Sequence, residues 1–306
     1  FNEAQRLDLH AWQQLGKNTS IRLIFVDDGS TDKTLEVLHR LVKELPPKRS
    51  FVLALERNRG KGETVRAGLA VAMTDPASWV GYVDADLATP ASEISRIVQH
   101  FVGDASDVVI GSRVRLLGHE IKRHFSRFLM GRVFATTASA LLSIPVYDTQ
   151  CGCKFFRKTP QLSNALRQKF ISPWLFDVEL IGRLLYPTSG KAVPLSKFLE
   201  VPLRQWHDVS GSKVRRREVF RICGDLGKLW WSINLGRPQG DNLVGESAAS
   251  ERVHVVKRSV SRRRMFVHAR RIPDLERQSI KVRLPTAYVR NIGAVDNGRS
   301  DSEELL

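Results

Sequence analysis

Cysteine is scarce in this chain, with three in 306 residues: Cys151, Cys153 and Cys223. An odd number without the spacing of a disulfide framework argues against a stapled secreted scaffold and for a reducing compartment. Neither a CxxC pair nor a histidine cluster completes Cys151-Gly152-Cys153 as a zinc site, so the thiols read as packing residues. Nor is there a run of about 18 apolar residues, so the segment has no spanning helix. Zinc-finger spacing, a helix-turn-helix pattern and an aromatic RNA-binding signature are all missing, which argues against nucleic acid as partner of the body of the chain. Acidic residues are few beside basic ones, 32 against 48, and the net charge is +16. Such an excess calls for an anionic partner: nucleic acid, a membrane face or phosphorylated substrates. It is spread over residues 113–132, 213–228 and 252–290.

What is present reads as a globular protein. Hydrophobic content of 42% is ordinary for a soluble domain, and 306 residues suffice for one large domain or two. From residue 21 to about 112, short apolar runs alternate with amphipathic stretches. Strands are expected at 21–26, 51–55, 80–83 and 108–110, and helices at 32–45, 63–73 and 91–101. This alternation implies an α/β fold with parallel pairing and right-handed crossovers. Ligands of such sheets sit outside the carboxyl ends of the strands, where Asp27-Asp28, Asp84-Ala85-Asp86 and Arg113 fall. Residues 122–142 form a long stretch with aromatics near helical spacing and Arg123, Arg127 and Arg132 beside them. It can pack on the sheet or lie at a membrane surface. A strand near 154–157, a helix near 175–185, a strand near 198–203 and a helix at 218–231 follow. The division expected is a domain over 1–235 and a basic tail over 236–306, disordered or weakly folded.

The motifs have specific chemistry. Asp84 and Asp86 leave the apolar run 79–83 one residue apart, an oxygen-only pair suited to Mg or Mn, which takes its other ligands from water and phosphates. Acidic residues also cap helices and fill turns, so the triplet alone does not decide. Asp28 can accept hydrogen bonds from a base or ribose, and the run Asp28-Gly29-Ser30-Thr31-Asp32 is equally turn chemistry. Asn58-Arg59-Gly60-Lys61-Gly62 opens a helix, whose free N–H groups and Lys61 can face phosphate, although Walker spacing is absent.

Taken in order, Phe1-Asn2-Glu3-Ala4, Val26 to Asp32, Asn58 to Gly62, Asp84-Ala85-Asp86 and Gly111-Ser112-Arg113 resemble the motifs of family 2 inverting glycosyltransferases. Asp148 to Phe155, Trp174 to Leu180, and Trp206 with Gly211-Ser212-Lys213 resemble the dolichyl-phosphate beta-glucosyltransferase branch. The likeness runs from Phe1 to about Trp231. It implies a GT-A fold with a mostly parallel sheet, a UDP-glucose donor, a divalent metal and a dolichyl or polyprenyl phosphate acceptor. The setting it implies is the cytoplasmic face of a membrane, the endoplasmic reticulum or, in a bacterium, the plasma membrane.

Carried over by position, Phe1, Glu3, Val26 and Asp28 surround base and ribose. Asp84, Ala85 and Asp86 meet diphosphate and metal, with Lys61, Arg113 and Lys213 on phosphate. Arg123 and Arg127 offset the acceptor charge, and Asp148 orients the acceptor, or acts as base if it is a hydroxyl. As a turn or capping carboxylate, Asp148 has an equally good structural reading. The family strand ahead of the Asn-Glu motif and the family's anchor are not in the sequence, which begins at Phe1, so a preceding piece is expected. The rivals are a GDP-mannose or other nucleotide-sugar donor, a hydroxyl acceptor, or a basic scaffold that binds nucleic acid or membrane. Convergence of Asp28, Asp84, Asp86 and Arg113 on one cleft is the discriminating observation.

Overall fold

The computed structural model describes residues 1–99, 105–122, 125–207, 216–236 and 280–281. In chain order these form α1 (Leu9–Gly16), β1 (Ile21–Asp27), α2 (Thr34–Glu44), β2 (Ser50–Ala54), α3 (Lys61–Ala72), β3 (Trp79–Val83), α4 (Ala91–Gln99), β4 (Val108–Ser112) and β5 (Glu120–Lys122). Then come α5 (Phe125–Leu142), β6 (Cys153–Arg157), α6 (Pro160–Ala165), α7 (Phe176–Leu185), β7 (Phe198–Pro202), β8 (Gln205–His207), α8 (Arg216–Gly236) and β9 (Ile280–Lys281).

Seven strands make the main sheet in the order β2-β1-β9-β3-β6-β4-β7. All its pairings are parallel except the two made by β6, which runs antiparallel between β3 and β4. The α/β fold and mostly parallel sheet expected from the sequence are present. The carboxyl ends of β1, β2, β3, β4 and β7 therefore lie on one rim, and β6 begins there. The residues make these elements for ordinary reasons. In α2, Leu38 and Leu41 recur at helical spacing and are buried against the sheet, and the segment ends ahead of Pro46-Pro47. Val108, Val109 and Ile110 are buried in succession because both faces of β4 are covered.

Two expectations shift. The stretch expected from residue 122 is divided: Glu120–Lys122 become β5, paired with β8 in a two-stranded sheet, and the helix starts at Phe125. Pairing with a segment distant in sequence overrode local periodicity. Within the segment expected to be a tail, Ile280–Lys281 pair with Ile21–Arg22 on one side and Trp79–Val80 on the other, so β9 occupies the middle of the sheet. That strand belongs to the unit formed by Phe1–Arg237 with Gln278–Leu306; the second unit, Pro238–Arg277, lies outside the described residues. No described helix is long and apolar enough to cross a membrane.

The core is tightly packed where β3 meets β6. Trp79, Val80, Phe155 and Phe156 are buried there, and Gly81 admits the Phe155 ring closely: a Cβ at Gly81 would lie 2.2 Å from that ring and 2.6 Å from the Lys154 carbonyl oxygen. Gly81→Ala is expected to destabilise the fold by about 1–3 kcal/mol through overpacking. Thermal denaturation of the variant beside the parent checks this.

Candidate active site

The first rim loop is tied to the second. The Asp28 carboxylate accepts the backbone N–H groups of Arg59 (2.7 Å) and Gly60 (2.9 Å), and so holds the turn that opens α3. Gly29 and Gly60 have φ of 66° and 84°, values that favour glycine, and a Cβ at Gly29 would lie 2.6 Å from the Arg57 backbone. The chain's first residues lie on the same loop. Asn2 N–H donates to Ser30 Oγ (2.9 Å), Thr31 N–H to Asn2 Oδ1 (3.0 Å) and Glu3 N–H to Thr34 Oγ1 (2.8 Å). Phe1 is partly exposed, and Val26 lies half-buried near the end of β1.

The acidic triplet follows β3, and each of its members is held. Asp84 pairs with Lys61 Nζ at 2.6 Å. Asp86 pairs with Arg6 at 3.3 Å, Arg6 also pairs with Glu3 at 3.2 Å, and the Ala85 carbonyl accepts Trp12 Nε1–H at 3.1 Å. Glu3, Lys61, Asp84, Ala85 and Asp86 thus form one constellation, joined through the α3 turn to Asp28. Burial and the Asp84 charge together push the Asp86 carboxyl up. The Lys61 side chain is 43% exposed; what desolvation it has works against the charge, yet Asp84, Asp177 and Asp86 prevail and its pKa is raised.

Asp84 lies in a cradle that only glycine provides. Its backbone N–H donates to the Gly152 carbonyl (2.9 Å), and a Cβ at Gly152 would lie 1.9 Å from Asp84 Oδ2. Below the rim, Lys154 is fully buried in β6 and donates to Asp177 (2.5 Å) and the Cys151 carbonyl (2.6 Å), while the Tyr82 hydroxyl also donates to Asp177. Asp177 is in the first turn of α7, and Phe176 beside it lies 6.0 Å from Lys61 Nζ.

At the end of β4, Arg113 meets Asp148 in a two-point pair: Nε–H donates to Oδ2 (2.6 Å) and an Nη2 hydrogen to Oδ1 (2.8 Å), with the backbone N–H added at 3.2 Å. The guanidinium lies 5.2 Å from the Trp206 ring centroid. Glu200 in β7 accepts the N–H groups of Tyr147 (2.9 Å) and Asp148 (2.8 Å) and so fixes the loop that carries Asp148. Burial opposes the Arg113 charge, but Asp148, and Asp84 at longer range, raise its pKa. For Asp148, burial would raise the pKa, yet the Arg113 charge and hydrogen bonds hold it below the usual carboxylate range. Arg123 and Lys213 lie outside the described residues, as does the side chain of Arg127 in α5.

Arg6, Trp12 and Glu200 carry no expectation from sequence, and Gly152, Lys154 and Asp177 enter it only as members of the 148–155 and 174–180 motifs, with no role of their own. A signal existed for Lys154, which stands within a strand whose neighbours are otherwise Cys and Phe and so must find a buried acid. Arg6 and Glu200 carried none, because a single charge does not disclose its partner. Asp148→Asn is expected to cost about 3 kcal/mol near neutral pH by leaving Arg113 buried without a counter-charge. A lowered pKa stabilises above the unfolded value of about 3.9 and is lost as pH falls through the folded value. The gap in melting temperature between parent and variant should therefore hold steady above about pH 5 and shrink below about pH 4.

Comparison with known proteins agrees with this geometry. Residues 2–161 match the model of glycosyl transferase family 2. The dolichyl-phosphate beta-glucosyltransferase of Dictyostelium discoideum is 31% identical over 202 residues, covering 64% of this chain and 58% of that protein. Its Drosophila melanogaster counterpart is 32% identical over 222 residues, covering 70% of this chain and 64% of that protein. The chain thus spans about three fifths of the length of these relatives. Among solved structures, glucosyl-3-phosphoglycerate synthase from Mycobacterium tuberculosis with Mn2+ and UDP-glucose matches with a TM-score of 0.48 at 13% identity, covering 76% of this chain and 84% of that one. The family match and the rim constellation agree, and the chain belongs to glycosyl transferase family 2, with the α/β GT-A architecture.

Proposed function

We propose that the protein transfers glucose from UDP-glucose to a dolichyl or polyprenyl phosphate with inversion, giving a beta-linked lipid-phosphate glucose. The observation that carries this reading is the meeting of the rim loops: Asp28 holds the Gly60 turn ahead of Lys61, Lys61 pairs with Asp84, and Asp86, two residues on, pairs with Arg6. The names of the Dictyostelium and Drosophila relatives supply the glucosyl donor and the dolichyl phosphate acceptor.

Two carboxylates alone are a fitting but incomplete metal set. Among the described residues no group of three or more metal-binding side chains exists, so water and diphosphate would supply the other ligands, as Mg and Mn accept. Burial first, and the Asp84 charge second, raise the pKa of Asp86, and a divalent cation would offset the repulsion between the two carboxylates. Asp84 and Asp86 would hold it, and when bound it neutralises charge on the leaving diphosphate.

The chain's own residues do the rest. Phe1, Glu3, Val26 and Asp28 frame base and ribose. Lys61, at the amino end of α3, faces the phosphates, with the positive end of that helix behind it. A phosphate monoester is already anionic near neutral pH, its second pKa being about 6, so attack on the anomeric carbon needs no strong base. One phosphate oxygen forms the new bond while the bond from that carbon to UDP breaks, and UDP leaves with the electron pair. The remaining obstacle is the approach of two anions, which Arg113 offsets together with Arg123, Arg127 and Lys213. Asp148, bound at two points by Arg113, has the role of orienting that guanidinium toward the acceptor. The net charge of +16 over the whole chain suits an enzyme working on phosphates at the cytoplasmic face of a membrane.

Radiolabelled transfer from UDP-glucose to a polyprenyl phosphate in detergent, with Mg or Mn, tests the reading. Glucolipid should form, disappear with EDTA and fall at least about a hundredfold in Asp86→Ala. A folded protein that makes no glucolipid from UDP-glucose, or an Asp86→Ala variant as active as the parent, would refute it. Gly152→Ala should keep the fold yet lower the rate about a hundredfold, because the new methyl group displaces the Asp84 carboxylate. Circular dichroism and the same assay separate those two effects.

A further inference from the structure

Single exposed apolar side chains, such as Ile171 and Leu195, are ordinary on a protein surface. Adjacent pairs are less so, and the described residues include two: Trp230-Trp231 on α8, and Leu116-Leu117 in the connection from β4 to β5. The leucine pair tips a tight turn. His119 N–H donates to the Leu116 carbonyl (3.1 Å), and Gly118 takes φ of 79°, with no atom within 4 Å of where its Cβ would lie. Leu116 is 47% exposed and Leu117 103% exposed.

The stem beneath this tip is firmly held. Glu120 N–H donates to the Arg204 carbonyl (2.7 Å), His119 Nδ1 lies 2.9 Å from the Leu203 carbonyl oxygen, and β5 pairs with β8 along its length. Ile121 and Trp206 are buried, and Trp206 carries the Arg113 guanidinium. A rigid stem thus displays an apolar tip four residues from Arg113. The flanks are cationic: residues 113–123 hold Arg113, Arg115, Lys122 and Arg123 against the one acid Glu120, and Arg115 is exposed.

We propose that the Leu116-Leu117 turn is a lipid-surface contact, its two leucines entering the acyl boundary while Arg115 stays among anionic headgroups, so that Arg113 meets the acceptor phosphate at headgroup depth. This deepens the function proposed above and rests on it for the identity of the acceptor. Charge and apolarity are arranged as an interfacial contact requires: leucine at the projecting point, arginine one residue behind it. Leu117 touches nothing that folding needs, so its cost to solubility has a use only if something apolar receives it.

Flotation of the full chain on vesicles of phosphatidylcholine with phosphatidylserine tests the contact without any assay of transfer. Basic segments elsewhere also attract anionic lipid, so binding is measured in about 0.1 M and about 0.5 M salt, the latter cutting the screening length to roughly 4 Å. The Leu116→Ser/Leu117→Ser variant keeps every charge and should lower the partition coefficient about tenfold or more, most visibly at high salt. Should the double variant unfold, Leu117→Ser alone serves, with a smaller loss in the same direction. Transfer to polyprenyl phosphate in detergent should be unchanged in the variant, while transfer to the same acceptor embedded in vesicles should fall. Variant and parent floating equally would overturn the proposal and leave the turn to another kind of partner. Absence of transfer in detergent by the parent, with flotation still dependent on the leucines, would fail the functional reading alone and uphold the lipid contact.

Discussion

A buried ammonium group is the constraint on which the site depends. Lys154 has no exposure to water, and a charge in that position persists only with an acid and further hydrogen-bonding partners around it. Asp177, the Cys151 carbonyl and the face of the Tyr82 ring meet that demand. In doing so they join β6, the start of α7 and the end of β3 at one point directly below the acidic triplet. Phe176 then stands under Lys61 and against Gly62, where a Cβ would lie 2.9 Å from the ring's own Cβ. The amino end of α3 and the Asp84 loop are held together from beneath, and the ion pair between Lys61 and Asp84 is a result of that support as well as of attraction.

The second anchor has a different character. Arg113 and Asp148 pair at the rim, the arginine side chain largely buried, and Glu200 and Trp206 fix the pair from β7 and β8. A cation held in this way is pre-oriented but not used up, because an arginine has five donors and the carboxylate engages only some of them. Preorganisation of this sort suits a site in which charge must be offset without much proton transfer.

Much of this was legible in the sequence, and what was not has physical reasons. Apolar runs ending in Asp28, Asp86 and Arg113 gave both the strands and their common rim, since burial of parallel strands forces continuous hydrophobic stretches and leaves polar residues to the ends. Short elements were missed: β5 and β8, three residues each, owe their existence to each other and not to local preference. The roles of Gly152 and Arg6 were hidden for another reason. A cradle and an ion pair are properties of two chain segments at once, and neither segment by itself reveals the other.

Placement of β9 has a consequence for how the protein comes to be folded. A strand encoded after all the others sits between β1 and β3, both of which lie in the first third of the chain. Parallel pairing at such sequence separation is slow, because the closure entropy must be overcome before any ladder bond forms. Until Ile280 and Lys281 have left the ribosome, the ladder that they make with Ile21–Arg22 and Trp79–Val80 cannot form. The centre of the described sheet is thus completed by a segment far downstream of β3, and the strands that it joins are made long before it.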